Sequence, residues 1–363
     1  MNKLEEARAA INAIDQQMAD LFVQRMQAVQ CVSEYKMQHG LPVLDAAREE
    51  QVIARNSSLV EDETLRSYYV NFLRNNMGLS RQYQQRLQQG LTVAYSGVEG
   101  AFAYMAAGRI FPDAKRQAYE SFAAAYQAVV DGNCDCAVLP IENSYAGEVS
   151  QVIDLLFSGP LFVNGIYELE ITHNLLALPN ATREDITTVI SHPQALAQCA
   201  QYIEQNGFEA RSASNTAVAA KKLIETGDTT LAAIASSDTA ELYGLKVLES
   251  HINASSTNTT RFAVFSRVEE RATAARDDRF ILVFTVRHEA GALAKAIAII
   301  GECGFNMRAL RSRPMKELLW QYYFYVEADG NPYSESGQRM MQQLSEFCDK
   351  LRIVGRFPHQ PKL

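Results

Sequence analysis

The sequence predicts a multidomain chain: an all-α segment over residues 1–88, an α/β segment over 91–267 and a ferredoxin-like α+β segment over 280–358. Three observations predict it. Apolar residues recur in steps of three and four up to about residue 88. Short apolar strands alternating with helical stretches take over from Leu91, and from Phe280 the elements read βαββαβ. A length of 363 residues suits two or three domains, and 47% hydrophobic with 21% charged residues is ordinary globular material.

The first helix runs to about Gln38. Leu4, Ala7, Ile11, Ile14, Met18, Leu21, Arg25, Ala28, Val32 and Tyr35 follow the a/d steps of a heptad seam. Cations interrupt it: Arg25 sits in the seam, and Arg8 and Lys36 share one flanking heptad position. After the break at Gly40-Leu41-Pro42, Asp45, Arg48 and Glu49 lie at i, i+3 and i+4 on one face of a second helix. A third helix spans about Asp62 to Gln88 and carries Ser80 and Gln84 on one face. Singly, each of these reads as surface charge or polarity. Together, cations facing a bundle interior are costly unless paired, so the set implies a pocket for a small polyanion. A first helix of about 50 Å cannot bury its own seam within three helices, so pairing with a second copy is expected.

In the α/β segment, strand Leu91–Tyr95 breaks into Ser96-Gly97-Val98-Glu99-Gly100-Ala101-Phe102 and a helix. Strand Cys136–Ile141 ends in Glu142-Asn143-Ser144. Val189-Ile190 runs into Ser191-His192-Pro193-Gln194 and a helix through Gln198. Leu231–Ala235 leads to Ser236-Ser237 and a further helix, and a Ser/Thr/Asn-rich loop precedes the last strand, Thr260–Phe265. Such junctions gather hydroxyls and backbone N–H groups at one sheet edge, where open α/β folds bind ligands. Each hydroxyl alone reads as a helix N-cap. The charged, alanine-rich stretch 268–279 is the expected linker. Beyond it come a strand (Phe280–Val286), a helix opened by Gly291 (Ala290–Cys303), strands Phe305–Ser312 and Leu318–Glu327, a helix (Ser334–Lys350) and a strand (Leu351–Phe357).

A net charge of -8 and a pI near 5.4 argue against non-specific binding to nucleic acid or an anionic membrane. No apolar run reaches the length of a spanning helix, and the N-terminus, charged from Lys3, lacks a signal-peptide core. Cysteines 31, 134, 136, 199, 303 and 348 are scattered, and Cys134-x-Cys136 has the wrong spacing for a zinc knuckle. Small buried thiols in a reducing cytoplasm, with no metal, are expected.

Over nearly its whole length the chain resembles the bacterial P-proteins, the bifunctional chorismate mutase–prephenate dehydratases. Arg8, Arg25, Lys36, Asp45, Arg48, Glu49, Ser80 and Gln84 match the mutase pattern. Pro140-Ile141-Glu142-Asn143-Ser144, Ser191-His192-Pro193-Gln194 with Gln198, and Thr260-Arg261-Phe262 resemble the dehydratase signatures. Gly291-Ala292-Leu293 and Ser312-Arg313-Pro314 resemble the amino-acid-sensing motifs of an ACT domain, with Arg311 where the family usually has Glu. The resemblance implies a two-lobed, periplasmic-binding-protein-like dehydratase domain, an ACT regulatory domain, chorismate and prephenate as substrates, phenylalanine as effector, no cofactor, and a homodimer or higher homo-oligomer.

The chemistry implied is specific. Rearranging chorismate needs no nucleophile or cofactor, only a folded dicarboxylate and stabilisation of charge on the ether oxygen. Arg25 and a second arginine, with Arg8 donated by a partner chain, suit the carboxylates. Lys36 and Gln84 suit the ether oxygen, the latter only with its NH₂ inward, and Glu49 the substrate hydroxyl. Asp45 and Ser80 bind or orient, and Arg48 serves a carboxylate or a structural ion pair. For the dehydratase, Thr260 is a donor or relay, and Glu142, if burial raises its pKa, the ultimate acid. Asn143, Ser144, Ser191 and Gln198 position the substrate, and Arg261 is a carboxylate anchor or structural. Gly291, Ala292, Leu293, Ser312, Arg313 and Pro314 bind the effector, with Arg311 pointing into that pocket or, as favoured, to solvent. Two other functions fit less well: a mutase fused to an arogenate-preferring dehydratase, and a non-catalytic amino-acid-responsive binding protein.

Overall fold

The structure, a computed structural model, describes residues 2–254, 257–270, 278–315, 321–358 and 362–363. It divides into two compact units, Met1–Thr92 and Val93–Leu363.

The first unit is three helices, α1 (Lys3–Gln38), α2 (Ala46–Ser57) and α3 (Glu63–Gln89). Asn2 and Glu5 form a capping box on α1, and the Asp45 and Asp62 carboxylates cap α2 and α3. Its buried side chains are few: Ser33 on α1, and Leu73, Met77, Ser80 and Gln84 on α3. The heptad seam is uncovered, with Ile11, Ile14 and Leu21 each more than half exposed.

The second unit begins with a lobe built from β1 (Thr92–Ser96), α4 (Phe102–Ile110), β2 (Lys115–Tyr119), α5 (Phe122–Val130), β3 (Cys136–Asn143), β4 (Gly147–Glu148), α6 (Ser150–Ser158) and β5 (Phe162–Glu170). The chain then crosses to a second lobe: β6 (Asn174–Ala177), β7 (Thr188–Ser191), α7 (Pro193–Gln198), α8 (Ala200–Gln205), β8 (Glu209–Ser212), α9 (Thr216–Thr226), β9 (Leu231–Ala235), α10 (Ser237–Tyr243) and β10 (Lys246–Glu249). It returns to the first lobe as β11 (Thr259–Ser266). The sheet orders are β2-β1-β3-β11-β5, with β4 on β3, and β10-β6-β9-β7-β8. The strands β2, β4, β5, β6, β8 and β10 were not expected; of these β2, β8 and β10 are edge strands, largely exposed and polar, with no apolar alternation to announce them.

The C-terminal part is β12 (Asp278–Thr285), α11 (Ala292–Glu302), β13 (Met307–Pro314), β14 (Tyr322–Asp329), α12 (Glu335–Ser345) and β15 (Leu351–Pro358), a sheet of order β13-β14-β12-β15. Strand alternation gives it two apolar faces. Phe280, Leu282, Phe284 and Val326 pack with Ala296, Ile300, Met340 and Leu344 of α11 and α12. Ile281, Val283, Tyr325 and Val354 instead join Leu139, Ile141 and Phe265 in the core of the first lobe.

Several boundaries differ from expectation; the expected helix Ser334–Lys350 ends at Ser345, and the expected strand Phe305–Ser312 runs Met307–Pro314. The linker does not reach residue 279, because β12 starts at Asp278, which is buried against the Arg356 guanidinium. Of the expected strand Leu318–Glu327, residues 318–320 lie outside the described residues, and β14 runs Tyr322–Asp329. No disulfide joins the six cysteines, and Cys31 is exposed on α1 and Cys348 half-buried rather than buried. Among the described residues no helix is long and apolar enough to cross a membrane, and no group of three or more His, Cys, Asp or Glu residues could hold a metal.

Candidate active sites

In the first unit Arg25, Lys36, Asp45, Arg48, Glu49, Ser80 and Gln84 line one pocket of about 260 Å³. Seven of the eight expected residues therefore meet; Arg8 lies exposed on α1 and does not line it. Arg25 donates through Nη1 to Ser80 Oγ at 2.5 Å, and among the described residues no carboxylate pairs with it. Burial lowers its pKa. Lys36 Nζ donates to Val43 O at 2.6 Å. Asp45 is an N-cap, accepting from Arg48 N at 3.0 Å, which makes it an orienting group. Arg81 also lines the pocket and pairs with Glu49 at 2.5 Å. It was missed, although it precedes Gln84 by one helical turn. Gln84 Nε2 reaches back to Ser80 O at 3.4 Å and its buried Oε1 has no partner among the described residues, so presenting the NH₂ inward requires a half-turn of the amide.

The two lobes of the second unit enclose a cleft of about 320 Å³. Strand register decides which signature residues face it. In the β3/β11 ladder Asn143 pairs with Thr260, and Glu142 with Arg261. Successive residues of a strand point to opposite faces, so one pair must face away from the other. Asn143 and Thr260 line the cleft; Glu142 and Arg261 turn toward the C-terminal sheet.

A chain of hydrogen bonds fixes the polarity of the cleft. Asn143 Oδ1 accepts from the backbone N–H of Tyr145 (3.0 Å) and Ala146 (2.9 Å), which pins the amide. Its Nδ2 therefore donates, to Thr260 Oγ1 and to Asn258 Oδ1, both at 2.9 Å. Asn258 Nδ2 donates to Gln198 Oε1 at 3.0 Å, and that oxygen also faces His173 Nε2 at 2.7 Å. His173 must then carry its proton on Nε2; burial lowers its pKa and keeps it neutral, and Nδ1 has no partner among the described residues. Because the Thr260 oxygen already accepts from Asn143, its own proton is available to a ligand. His192 lines the cleft too, and its Nδ1 accepts from Gln194 N at 3.2 Å. His173, His192, Gln194 and Asn258 were not among the expected site residues. The motif Ser191-His192-Pro193-Gln194 pointed to two of them; His173 and Asn258, on the segments crossing between lobes, carry no local signal.

Three expectations for this site are corrected, and for Arg261 the structural alternative is the one observed. Glu142 is no raised-pKa acid. Burial alone would raise its pKa, but hydrogen bonds and charge from Arg311 and then Arg261 hold it below the ordinary carboxylate value. Arg261 anchors no ligand in the cleft: it bridges Glu142 at 3.1 Å and the buried Glu327 at 2.7 Å. Burial opposes its charge, but Glu327 outweighs burial and raises its pKa. Ser191 is fully buried, donating to Ile234 O at 2.6 Å, and Ser144 accepts from Thr259 N at 2.9 Å and donates to Thr257 O at 3.0 Å. Both hydroxyls tie strands and loops together rather than line the cleft.

In the C-terminal part Ala292 and Leu293 line a small pocket of about 140 Å³ with Glu289, Tyr322 and Phe324. Gly291, at φ +83°, precedes α11 and supplies no side-chain cap. Ser312, Arg313 and Pro314 do not line that pocket. Arg313 binds Glu148 (3.1 Å) and Asp154 (3.3 Å). Arg311 points neither into the pocket nor to solvent: its side chain is 17% exposed and binds Glu142 at 2.5 Å and Glu148 at 3.6 Å.

Comparison with known proteins matches two family models, chorismate mutase type II over residues 7–85 and prephenate dehydratase over residues 93–270. The bifunctional chorismate mutase/prephenate dehydratase of Neisseria gonorrhoeae (strain ATCC 700825 / FA 1090) is 31% identical over 97% of this chain and 96% of its own. The chain belongs to the family of bifunctional chorismate mutase/prephenate dehydratases. Arogenate dehydratase/prephenate dehydratase 2, chloroplastic, of Arabidopsis thaliana is 32% identical over 87% of this chain and 86% of its own. The crystal structure of prephenate dehydratase in complex with L-Phe from Arthrobacter aurescens superposes with a TM-score of 0.70 at 26% identity, covering 75% of this chain and 92% of that one. As a member of this family the chain is an isomerase and a lyase of phenylalanine synthesis. It converts chorismate to prephenate and prephenate to phenylpyruvate.

Proposed function

We propose that chorismate rearranges in the pocket of the first unit and prephenate is dehydrated in the cleft between the two lobes. In the pocket, Arg25 clamps a substrate carboxylate; the observation that supports this is a half-buried guanidinium with no acidic partner. Lys36 and the rotated Gln84 amide stabilise charge growing on the ether oxygen. Arg48, and Arg81 beside Glu49, complete the cationic wall, and Arg8 comes from a second copy.

In the cleft, prephenate loses its ring carboxylate as CO₂ while the C–C electron pair flows through the ring and expels the C4 hydroxyl. Prephenate dianion and one proton thus give the phenylpyruvate anion, CO₂ and water. Thr260 donates a hydrogen bond to the departing hydroxyl, and the orientation imposed by Asn143 is the observation that carries this reading. A threonine hydroxyl is too weak an acid to yield its proton outright, so it relays one from water. Asn143, Gln198, His192 and Gln194 position the substrate.

Phenylalanine acts as feedback effector at the Gly291-Ala292-Leu293 turn. Uncapped N–H groups of α11 suit its carboxylate and Glu289 its ammonium, and the Arthrobacter relative was crystallised with L-Phe. The pocket is small for the whole amino acid, which supports completion by a second copy. The exposed seam of α1 supports a homodimer through the first unit as well. The reaction type and six cysteines held in no disulfide support a cytoplasmic setting. One assay tests the core of this reading: purified full-length protein with chorismate, following chorismate loss and phenylpyruvate formation. Chorismate loss with Lys36→Ala at wild-type rate, or phenylpyruvate formation undiminished in Thr260→Ala, would refute the respective site.

A further inference from the structure

Four cations line the pocket of the first unit: Arg25, Lys36, Arg48 and Arg81. Their partners set one of them apart. Among the described residues Arg25, Lys36 and Arg48 form no ion pair, whereas Arg81 Nη1 donates to both Oε1 and Oε2 of Glu49, each at 2.5 Å. A carboxylate oxygen has two lone pairs, so each Glu49 oxygen keeps one for a ligand while the group as a whole cannot turn. Arg81 stands on α3 between Ser80 and Gln84, and Glu49 in the first turn of α2, so the pair joins the two helices at the pocket wall.

As a strut the pair contributes little. The Arg81 and Glu49 side chains are 35% and 26% exposed, and solvent screens an ion pair of that kind. Its consequence for a ligand is larger. A glutamate side chain has several rotatable bonds, and freezing them at the moment of binding costs conformational entropy. The Arg81 contact imposes that order beforehand, so the acceptor is preorganised. A guanidinium whose charge is already met by Glu49 also attracts a substrate carboxylate less than the three unpaired cations do.

Resting on the mutase reading, we propose that Arg81 is a positioning residue: it holds the Glu49 carboxylate where this accepts the substrate's ring hydroxyl and so selects the reactive ring conformer. The hydroxyl and the enolpyruvyl ether of chorismate sit on neighbouring ring carbons, trans to each other. The conformer that stands the ether axial, as the rearrangement requires, therefore stands the hydroxyl axial too. An acceptor fixed at the axial hydroxyl favours that near-attack conformer, which acts on kcat. The rearrangement breaks the ether C–O bond and forms a C–C bond with no proton gained or lost, so Glu49 serves here as an acceptor and not as a base.

Arg81→Ala in the full-length protein tests the role against chorismate and against its analogue lacking the ring hydroxyl. With chorismate kcat should fall about tenfold and KM change less than about threefold, while the rate of prephenate dehydration is unchanged. Arg81→Lys, whose ammonium still reaches the carboxylate, should recover part of the rate. With the hydroxyl-free analogue, wild type and Arg81→Ala should agree within about twofold, and so should Glu49→Ala and the double variant with chorismate. A strut would lower the rate on both substrates and in both backgrounds alike, and that result overturns the proposal. So does an unchanged kcat in Arg81→Ala, or a rise of about tenfold in KM with kcat intact, which marks a carboxylate clamp instead. A wild-type protein that leaves chorismate unconverted, or Lys36→Ala at wild-type rate, would fail the mutase reading itself and is distinguished by its own assay.

Discussion

Glu142→Gln separates an acid from a strut. The Glu142 carboxylate is bonded to Arg311 at 2.5 Å and Arg261 at 3.1 Å, on the face of β3 that turns away from the cleft. Removing one partner of a fully buried pair costs about 3–5 kcal/mol, but these side chains are 29%, 17% and 18% exposed, and solvent screens part of that. Arg261 keeps Glu327, and Arg311 keeps Glu148 at 3.6 Å. The loss should therefore be about 1–2 kcal/mol, or roughly 2–8 °C in the midpoint of a unit this size. The sign with pH follows from the shift. The folded pKa of Glu142 lies below its ordinary value of 4.5. Its stabilisation is then complete above that value and disappears as pH falls through the folded pKa. Calorimetry of wild type and Glu142→Gln should show the full gap at pH 7 and a closing gap below pH 4.5. Dehydratase kcat should stay within a few-fold and keep its pH profile. A hundredfold loss of kcat with the midpoint unmoved would refute this reasoning and restore Glu142 as the acid.

Lys36→Ala should reduce chorismate mutase kcat by about a hundred- to a thousandfold while prephenate dehydration in the same preparation persists, measured by the two rates separately. Thr260→Ala should stop phenylpyruvate formation and let prephenate accumulate from chorismate, with Thr260→Ser retaining part of the rate; equal loss in both would indicate packing. Phenylalanine at sub-millimolar concentration should inhibit the dehydratase where equal tyrosine does not, and Glu289→Gln should shift the inhibition curve to higher phenylalanine; a flat wild-type curve to several millimolar would remove the sensor. Ile14→Glu, in the exposed seam, should weaken self-association in sedimentation, whereas an unchanged mass distribution would place the dimer contact elsewhere.

The sequence by itself determined the three-part architecture, because periodicity and capping are local: Asp45 and Asp62 end up as the caps of α2 and α3, and the βαββαβ order closes as a four-stranded sheet. It also announced most of the candidate pocket of the first unit, since helical spacing puts Ser80 with Gln84, and Asp45 with Arg48 and Glu49, on common faces before any packing occurs, whereas Arg8 stayed outside that pocket. Only tertiary structure decided the dehydratase site. Neighbours such as Glu142 and Asn143, or Arg261 and Thr260, are adjacent in a motif but lie on opposite faces of a strand, so one member of each pair went to the cleft and the other to the C-terminal sheet. The same pairing gave Arg311 its place: its counter-charges, Glu142 and Glu148, lie far away in the chain, and no local pattern could show that they would meet. His173 and Asn258 join the site through contacts made only when two lobes close on each other. Short-range preferences write helices and strands into a sequence, whereas the partner of a buried charge or amide is settled by which surfaces come together.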